Sequence, residues 1–136
     1  MTFVVDASIT ACWAFRDEDH PSADMALTRL RIEEALAPGL WWFEVRNILV
    51  VNERRKRLTE AESAVFLRSL VRLPITVDHA PDESEVLRLA RTHQLSVYDA
   101  AYLELAQRNR IGLATLDLRL ARAARAEAVP VIGENT

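Results

Sequence analysis

Four acidic residues could do chemistry together if the fold gathers them: Asp6, Glu44, Asp99 and Asp117. Each stands near apolar neighbours, as in Val5-Asp6-Ala7 and Phe43-Glu44-Val45. Carboxylates that share one site repel each other and raise each other's pKa unless a cation lies between them. Hard divalent ions such as Mg²⁺ or Mn²⁺ take oxygen ligands and keep bound water, and paired ions of this kind promote phosphodiester cleavage. The four acids therefore predict a divalent-metal site with hydrolytic chemistry.

Each acid also has a simpler interpretation at the start of a helix. Asp6 and Asp117 stand where an N-cap residue would stand, and Glu44 and Asp99 could complement a helix dipole. The segment from Ser96 to Asp99 fits the capping-box pattern S-x-x-D. Capping alone is served equally well by Ser, Thr or Asn, so it does not require an acid at all four positions. Capping and metal binding both stay open for these residues at this point.

Apolar runs and helix signals alternate along the chain. Short apolar segments predict strands at 3–5, within the turn segment 36–40, and at 75–77, 113–115 and 129–132. Amphipathic segments, several with capping or proline starts, predict helices at 7–16, 21–36, 41–57, 59–73, 81–93, 96–109 and 118–127. Apolar strands separated by helices are typical of a mostly parallel sheet covered on both faces. The predicted fold is a three-layer α/β/α domain with a central sheet of about five strands.

The predicted elements place the acids at one edge of that sheet. Asp6 ends the first strand, and Asp117 follows the strand that ends at Thr115. Glu44 lies early in the helix after the turn segment, and Asp99 lies in the first turn of its own helix. Ligands of parallel sheets bind beyond the carboxyl ends of the strands, where the following helices begin. We therefore expect the four acids to converge there from four distant points of the chain.

Composition narrows the class of protein. A chain of 136 residues, half of them hydrophobic and 27% charged, predicts one globular domain over 1–136. A net charge of −3 argues against a general polyanion binder of the histone kind. The sequence shows no signal-peptide pattern and no apolar run long enough to span a bilayer. Cys12, the single cysteine, can form no internal disulfide. We expect a cytoplasmic protein without a membrane partner.

The contexts of the four acids resemble those of a known family. Asp6-Ala7-Ser8, Glu44-Val45-Arg46-Asn47, Tyr98-Asp99-Ala100 and Thr115-Leu116-Asp117 follow the order and spacing of the PIN domain. More narrowly, the chain resembles the VapC-type ribonuclease toxins of bacterial toxin–antitoxin pairs, over essentially its whole length. The segment "YDAAYLELA" followed by "LATLD" is the most specific part of the likeness.

The resemblance implies a function and a set of residue roles. Asp6, Glu44, Asp99 and Asp117 would hold Mg²⁺ or Mn²⁺, and Ser8 and Thr115 would orient a water or a carboxylate beside them. Asn47 matches a recurrent polar position near Glu44. The implied activity is endoribonuclease cleavage of an RNA substrate by metal-activated water.

The resemblance also implies protein partners. A VapB-type antitoxin would lie along the helices near Trp13 and Phe15 and place a tail arginine among the acids. The family and the aromatic residues of the apolar helices favour a homodimer.

One basic feature indicates contact with phosphate. Arg119, Arg122 and Arg125 recur every three residues, so they share one helical face that begins beside Asp117. Arginine offers a planar fork suited to phosphate. We expect this face to contact the RNA backbone.

Three alternatives differ at particular residues. A phosphoacceptor signalling domain usually has adjacent acids after its first strand and a lysine after its last strand, whereas Ala7 follows Asp6 and no lysine lies near Val131. A D-x-D phosphatase would need an acid at Ser8. A PIN-like domain that only binds RNA or protein is expected to lack one or more of the acids. All four are present, which favours the enzyme.

Overall fold

The computed structural model describes residues 2–15 and 19–133 of the protein. Its strands are β1 (Thr2–Val5), β2 (Glu34–Pro38), β3 (Ile75–Asp78) and β4 (Gly112–Ala114). Its helices are α1 (Ala7–Cys12), α2 (Pro21–Arg29), α3 (Gly39–Arg54), α4 (Glu60–Leu70), α5 (Glu83–His93), α6 (Val97–Asn109) and α7 (Leu118–Ala126). The α/β architecture predicted from the alternating pattern is confirmed.

The strands form one parallel sheet in the order β3-β2-β1-β4. The chain builds outward from β1 through β2 to β3, and then returns to add β4 on the other side of β1. Ligands of open parallel sheets bind where the strand order reverses in this way, beyond the carboxyl ends of the strands. The carboxyl ends of β1 and β4 are followed by Asp6 and by the segment from Thr115 to Asp117.

The interior explains the apolar runs of the sequence. Phe3, Val4 and Val5 are fully buried in β1, as expected for an inner strand covered on both faces. Helix α6 is buried without interruption over 100–106 and contacts three of the strands as well as α5 and α7. The helix that begins with the segment containing Asp99 is therefore firmly embedded in the domain.

A polar network joins the far ends of three helices. The Glu127 carboxylate, just after α7, accepts hydrogen bonds from Arg88 of α5 at 2.9 Å and from Gln107 of α6 at 3.1 Å. His93 Nε2 lies 2.6 Å from its other oxygen. Arg88 and His93 lower the pKa of Glu127 to about 2, so the carboxylate stays ionised and the network persists down to acidic pH. It fixes α6 at the end opposite Asp99.

The predicted helix over 21–36 is wrong in its second half. Helix α2 ends at Arg29, and the segment from Glu34 to Pro38 forms β2 between β1 and β3. The segment has good helix formers, but pairing on both sides and burial of Ala35 and Ala37 override that local preference.

Two further boundaries differ from the predictions. The predicted helix over 7–16 ends at Cys12, because the next amides, from Trp13 to Phe15, bond to carbonyls three residues back in a tighter turn. Residue 16 lies outside the described residues. The predicted strand over 129–132 is a single bridge between Leu113 and Val131, since Pro130 has no amide proton with which to extend the pairing. The described sheet therefore has four strands where about five were expected.

No helix in 2–15 or 19–133 has the length and apolar character needed to cross a membrane.

Candidate active site

Asp6 is the buried centre of the site. It ends β1, and its side chain caps α1 by accepting a hydrogen bond from the Ile9 amide at 2.9 Å. The Ser8 hydroxyl donates to the same carboxylate oxygen at 2.7 Å, and the Thr115 hydroxyl donates to the other oxygen. Only 5% of Asp6 is exposed. One carboxylate therefore serves as a helix cap and as the acceptor for both hydroxyls that the sequence singled out.

Those hydroxyls also hold the segment that carries Asp117. Ser8 Oγ accepts a hydrogen bond from the Leu116 amide at 3.1 Å, and Thr115 Oγ1 accepts one from the Asp117 amide at 3.0 Å. Asp117 in turn caps α7 through the Leu120 amide at 3.0 Å, and it is solvent-exposed. Ser8 and Thr115 thus join the β1–α1 and β4–α7 junctions around the Asp6 carboxylate.

Glu44 reaches the site from α3. Its side chain is half-buried, and the Tyr102 hydroxyl of α6 donates to its Oε1 at 2.6 Å. Below it, Trp41 Nε1 donates to Thr10 Oγ1 at 2.9 Å, and the Thr10 hydroxyl donates to the carbonyl of Asp6 at 2.8 Å. The start of α3 is therefore tied to the backbone of the central acid.

Asp99 lies in the first turn of α6 and is half-buried. The Ser96 hydroxyl caps this helix by accepting a hydrogen bond from the Asp99 amide at 3.0 Å. In α4, by contrast, Thr59 and Glu62 form both halves of a capping box. In α6 the described cap is the bond from the Asp99 amide to Ser96, without the second bond that the Glu62 side chain makes in α4.

Electrostatic repulsion links the four acids in a chain. Burial raises the pKa of Asp6 to about 6, Thr115 and the other hydrogen-bond donors oppose that rise, and Glu44 adds to it. Burial and then Asp99 raise the pKa of Glu44, while burial and then Asp117 raise the pKa of Asp99. Ser96 and Arg119 oppose the rise at Asp99. The structure thus brings Asp6, Glu44 and Asp99 each close enough to another acid to disfavour its ionised form.

The donor set suits a hard divalent cation. All four side chains offer oxygen, and a positive ion among them would relieve both the repulsion and the cost of burying charge. Within 2–15 and 19–133, no three Asp, Glu, His or Cys side chains already have the geometry to hold a metal ion. The oxygen chemistry of the four acids fits Mg²⁺ or Mn²⁺.

The remaining predicted residues lie near the site on outward surfaces. Arg119, Arg122 and Arg125 are exposed on α7, and Asn47 is exposed on α3. Two positions of the site had been given no role from the sequence, Tyr102 and Trp41. Each lies three residues from an acid on the same helix, Asp99 and Glu44 respectively, and each combines an apolar ring with a hydrogen-bond donor.

Known proteins share both the sequence pattern and the fold. Residues 3–126 match the PIN domain. Ribonuclease VapC3 of Pyrobaculum aerophilum is 33% identical over 124 residues, which span 89% of this chain and 93% of that protein.

Two solved structures share the fold at lower identity. PAE2754 from Pyrobaculum aerophilum has a TM-score of 0.72 at 24% identity, covering 96% of this chain and 83% of that one. FitAcB from Neisseria gonorrhoeae has a TM-score of 0.66 at 15% identity, covering 96% of both chains. The family match and the relative together show that this chain belongs to the PIN-domain family.

Proposed function

We propose that this protein is a metal-dependent endoribonuclease that acts as the toxin of a toxin–antitoxin pair. The observation that carries the proposal is the group of four acids at the carboxyl edge of the sheet, in which Asp6, Glu44 and Asp99 each lie close enough to another acid to disfavour ionisation. Such a cluster lowers the stability of a protein that only binds RNA, whereas it provides ligands in a protein that holds a divalent cation. The similarity to ribonuclease VapC3 supports RNA as the substrate and the toxin role.

The chain's own residues have distinct tasks in this proposal. Asp6, Glu44, Asp99 and Asp117 hold Mg²⁺ or Mn²⁺, which when bound supplies an activated water and stabilises the leaving oxygen. Ser8 and Thr115 fix the Asp6 carboxylate through the hydrogen bonds described above.

The exposed arginines of α7 extend this site toward the substrate. Arg119 lies in the first turn of α7 and lowers the pKa of Asp99. Arg122 and Arg125 lie further along the same helix and are exposed. We assign this face to the RNA backbone, since guanidinium groups pair well with phosphate.

The first prediction tests catalysis directly. Purified protein with Mg²⁺ or Mn²⁺ should cleave RNA to products with 5′-phosphate and 3′-hydroxyl ends, and EDTA should stop the reaction. Asp99→Asn should lose most activity because it removes a ligand charge with little change in shape. Asp24→Asn, which removes an exposed acid of α2, is the matched control and should retain activity.

Gel assays and chemical mapping of the product ends measure both parts of this prediction. Full activity in Asp99→Asn, or products that end in 2′,3′-cyclic phosphate, would contradict the proposed chemistry.

An apolar groove offers a place for the antitoxin. It has a volume of about 500 Å³ and lies between the end of α1, α2 and α4, with Trp13, Leu27, Val65 and Phe66 among its lining residues. Val65 is 55% exposed and Leu27 is 39% exposed. Such a groove fits the apolar face of a short helix. Trp13 lines the groove as the expected docking surface requires, whereas Phe15 is buried in a separate cluster with Leu49 and Leu58.

We also propose a homodimer, formed through the outer face of α3. Phe43 is 70% exposed, Trp42 is 47% exposed and Val50 is 40% exposed on this helix. Trp42 packs edge-on against Phe43, and the Arg46 guanidinium lies 4.1 Å from the Trp42 ring centroid. A second copy would cover this aromatic face and bring the two acidic sites to one side of the assembly.

The second prediction concerns this dimer. At micromolar concentration, light scattering should give about twice the 15.4 kDa mass of one chain. Phe43→Glu should shift the mass toward one chain because it places a charge in an apolar interface. Ile32→Glu, at a position that is 86% exposed between α2 and β2, is the control and should stay dimeric. A wild-type protein that remains a single chain would disprove the dimer.

A further inference from the structure

We propose that Tyr102 is a positioning residue that fixes the Glu44 carboxylate for metal binding. This inference rests on the proposed function and adds to it a residue that touches neither the metal nor the substrate. The Tyr102 hydroxyl donates to Glu44 Oε1 at 2.6 Å, across 58 positions of sequence. In the described part of the chain, no other side chain hydrogen-bonds Glu44. One carboxylate oxygen is thereby engaged, and Oε2 remains for an ion.

Tyr102 is rigid enough for this task. It is 2% exposed and lies within the continuously buried segment of α6. Its ring belongs to the main core, so its hydroxyl is held at a fixed point. The donor is therefore fixed in place.

Glu44 needs such a donor more than Asp6 does. Asp6 has a short side chain that three donors hold. Glu44 has one more rotatable bond and a half-buried position from which its carboxylate could turn toward solvent. Trp41 and Thr10 anchor the start of α3 to Asp6, but neither of these hydrogen bonds reaches the Glu44 carboxylate. Tyr102 removes that remaining freedom, which is how outer ligand contacts strengthen metal sites.

The variant Tyr102→Phe tests the inference because it removes only the hydroxyl. Calorimetric titration with Mn²⁺ alone, without RNA, should show a 10- to 100-fold weaker affinity, the range typical of lost outer contacts. The Mg²⁺ concentration for half-maximal cleavage should rise in parallel. Tyr98→Phe removes the chain's other phenol from an exposed ring and should leave the Mn²⁺ affinity unchanged. Equal Mn²⁺ affinity in Tyr102→Phe and the wild-type protein would overturn the inference.

A double-mutant cycle separates positioning from a general structural effect. Tyr102→Phe is combined with Glu44→Gln, and the rise in unfolding temperature with millimolar Mn²⁺ is compared across the four proteins. If Tyr102 acts through Glu44, its substitution should change this rise in the wild-type background and leave it unaltered in Glu44→Gln. Equal losses in both backgrounds would overturn the positioning role.

The proposed function can fail separately. If the wild-type protein binds no Mn²⁺ and cleaves no RNA, the ribonuclease proposal falls and this inference falls with it. If the wild-type protein does both and Tyr102→Phe behaves identically, only the role of Tyr102 is disproved.

Discussion

Asp6→Asn should lower RNA cleavage by on the order of a thousandfold, as expected when a central charge that organises a metal site is removed. The substitution keeps the shape of the side chain. The remaining amide oxygen can still accept from the Ile9 amide and the Ser8 hydroxyl. The new amide group can donate to Thr115 Oγ1, which has two lone pairs and accepts from the Asp117 amide with one of them. The folded structure should therefore survive the loss of activity.

The same variant should be more stable than the wild-type protein at neutral pH when metal is removed. Burial raises the pKa of Asp6 from 3.8 to about 6, so the folded protein favours the protonated acid. Well below pH 3.8, Asp6 is protonated in both the folded and the unfolded protein, so it does not lower the free energy of unfolding. As the pH rises from about 4 to 6, the unfolded chain ionises first and the folded protein loses stability. At pH 7 this loss is on the order of 3 kcal/mol, and Asn avoids it.

Urea unfolding in EDTA measures this effect at two pH values. The advantage of Asp6→Asn should be present at pH 7 and nearly absent at pH 3.5. Adding Mg²⁺ at pH 7 should stabilise the wild-type protein and leave the variant almost unchanged, because ligands stabilise the state that binds them. Asp24→Asn again serves as the control, since that acid is exposed on α2. An Asp6→Asn protein that is less stable than wild type at pH 7 in EDTA would contradict the account of this site.

The sequence predicted the parts of this site that depend on local signals. Phe3, Val4 and Val5 form an apolar run typical of a buried strand, which placed the acid after it at a strand end. Ser96 likewise marks the start of α6, and this placed Asp99 in its first turn. Because parallel strands share one carboxyl edge, these local assignments were enough to bring distant acids together.

Contacts between distant segments were not predictable in the same way. The bond from Tyr102 to Glu44 depends on how α6 crosses α3, which no local pattern specifies. The second half of the predicted helix over 21–36 was wrong for the same reason. The segment from Glu34 to Pro38 pairs with β1 on one side and β3 on the other, and local sequence does not show these partners. Local propensity is a weak guide where pairing on both sides decides the structure.

Val65→Glu should weaken inhibition by the proposed antitoxin. Val65 is exposed on α4 and lines the apolar groove, so the new side chain is compatible with the helix but would place a charge under a docked apolar segment. Affinity for a VapB-type antitoxin, the partner we propose, should fall on the order of a hundredfold. Calorimetry measures the affinity, and cleavage by the variant alone is measured in parallel. Val71→Glu, at an 81% exposed position just beyond α4, is the matched control.

The second half of this prediction concerns the acids themselves. The carboxylates of Asp6, Glu44, Asp99 and Asp117 make this edge of the sheet attractive to any cation, and an arginine can pair with two carboxylate oxygens at once. An antitoxin that fills the groove and places a tail arginine among the acids would block metal binding. Alanine at that arginine should restore cleavage while the two proteins still bind, whereas Val65→Glu should weaken binding itself. Unchanged inhibition and unchanged apparent metal affinity after the arginine substitution would show that the groove alone silences the enzyme.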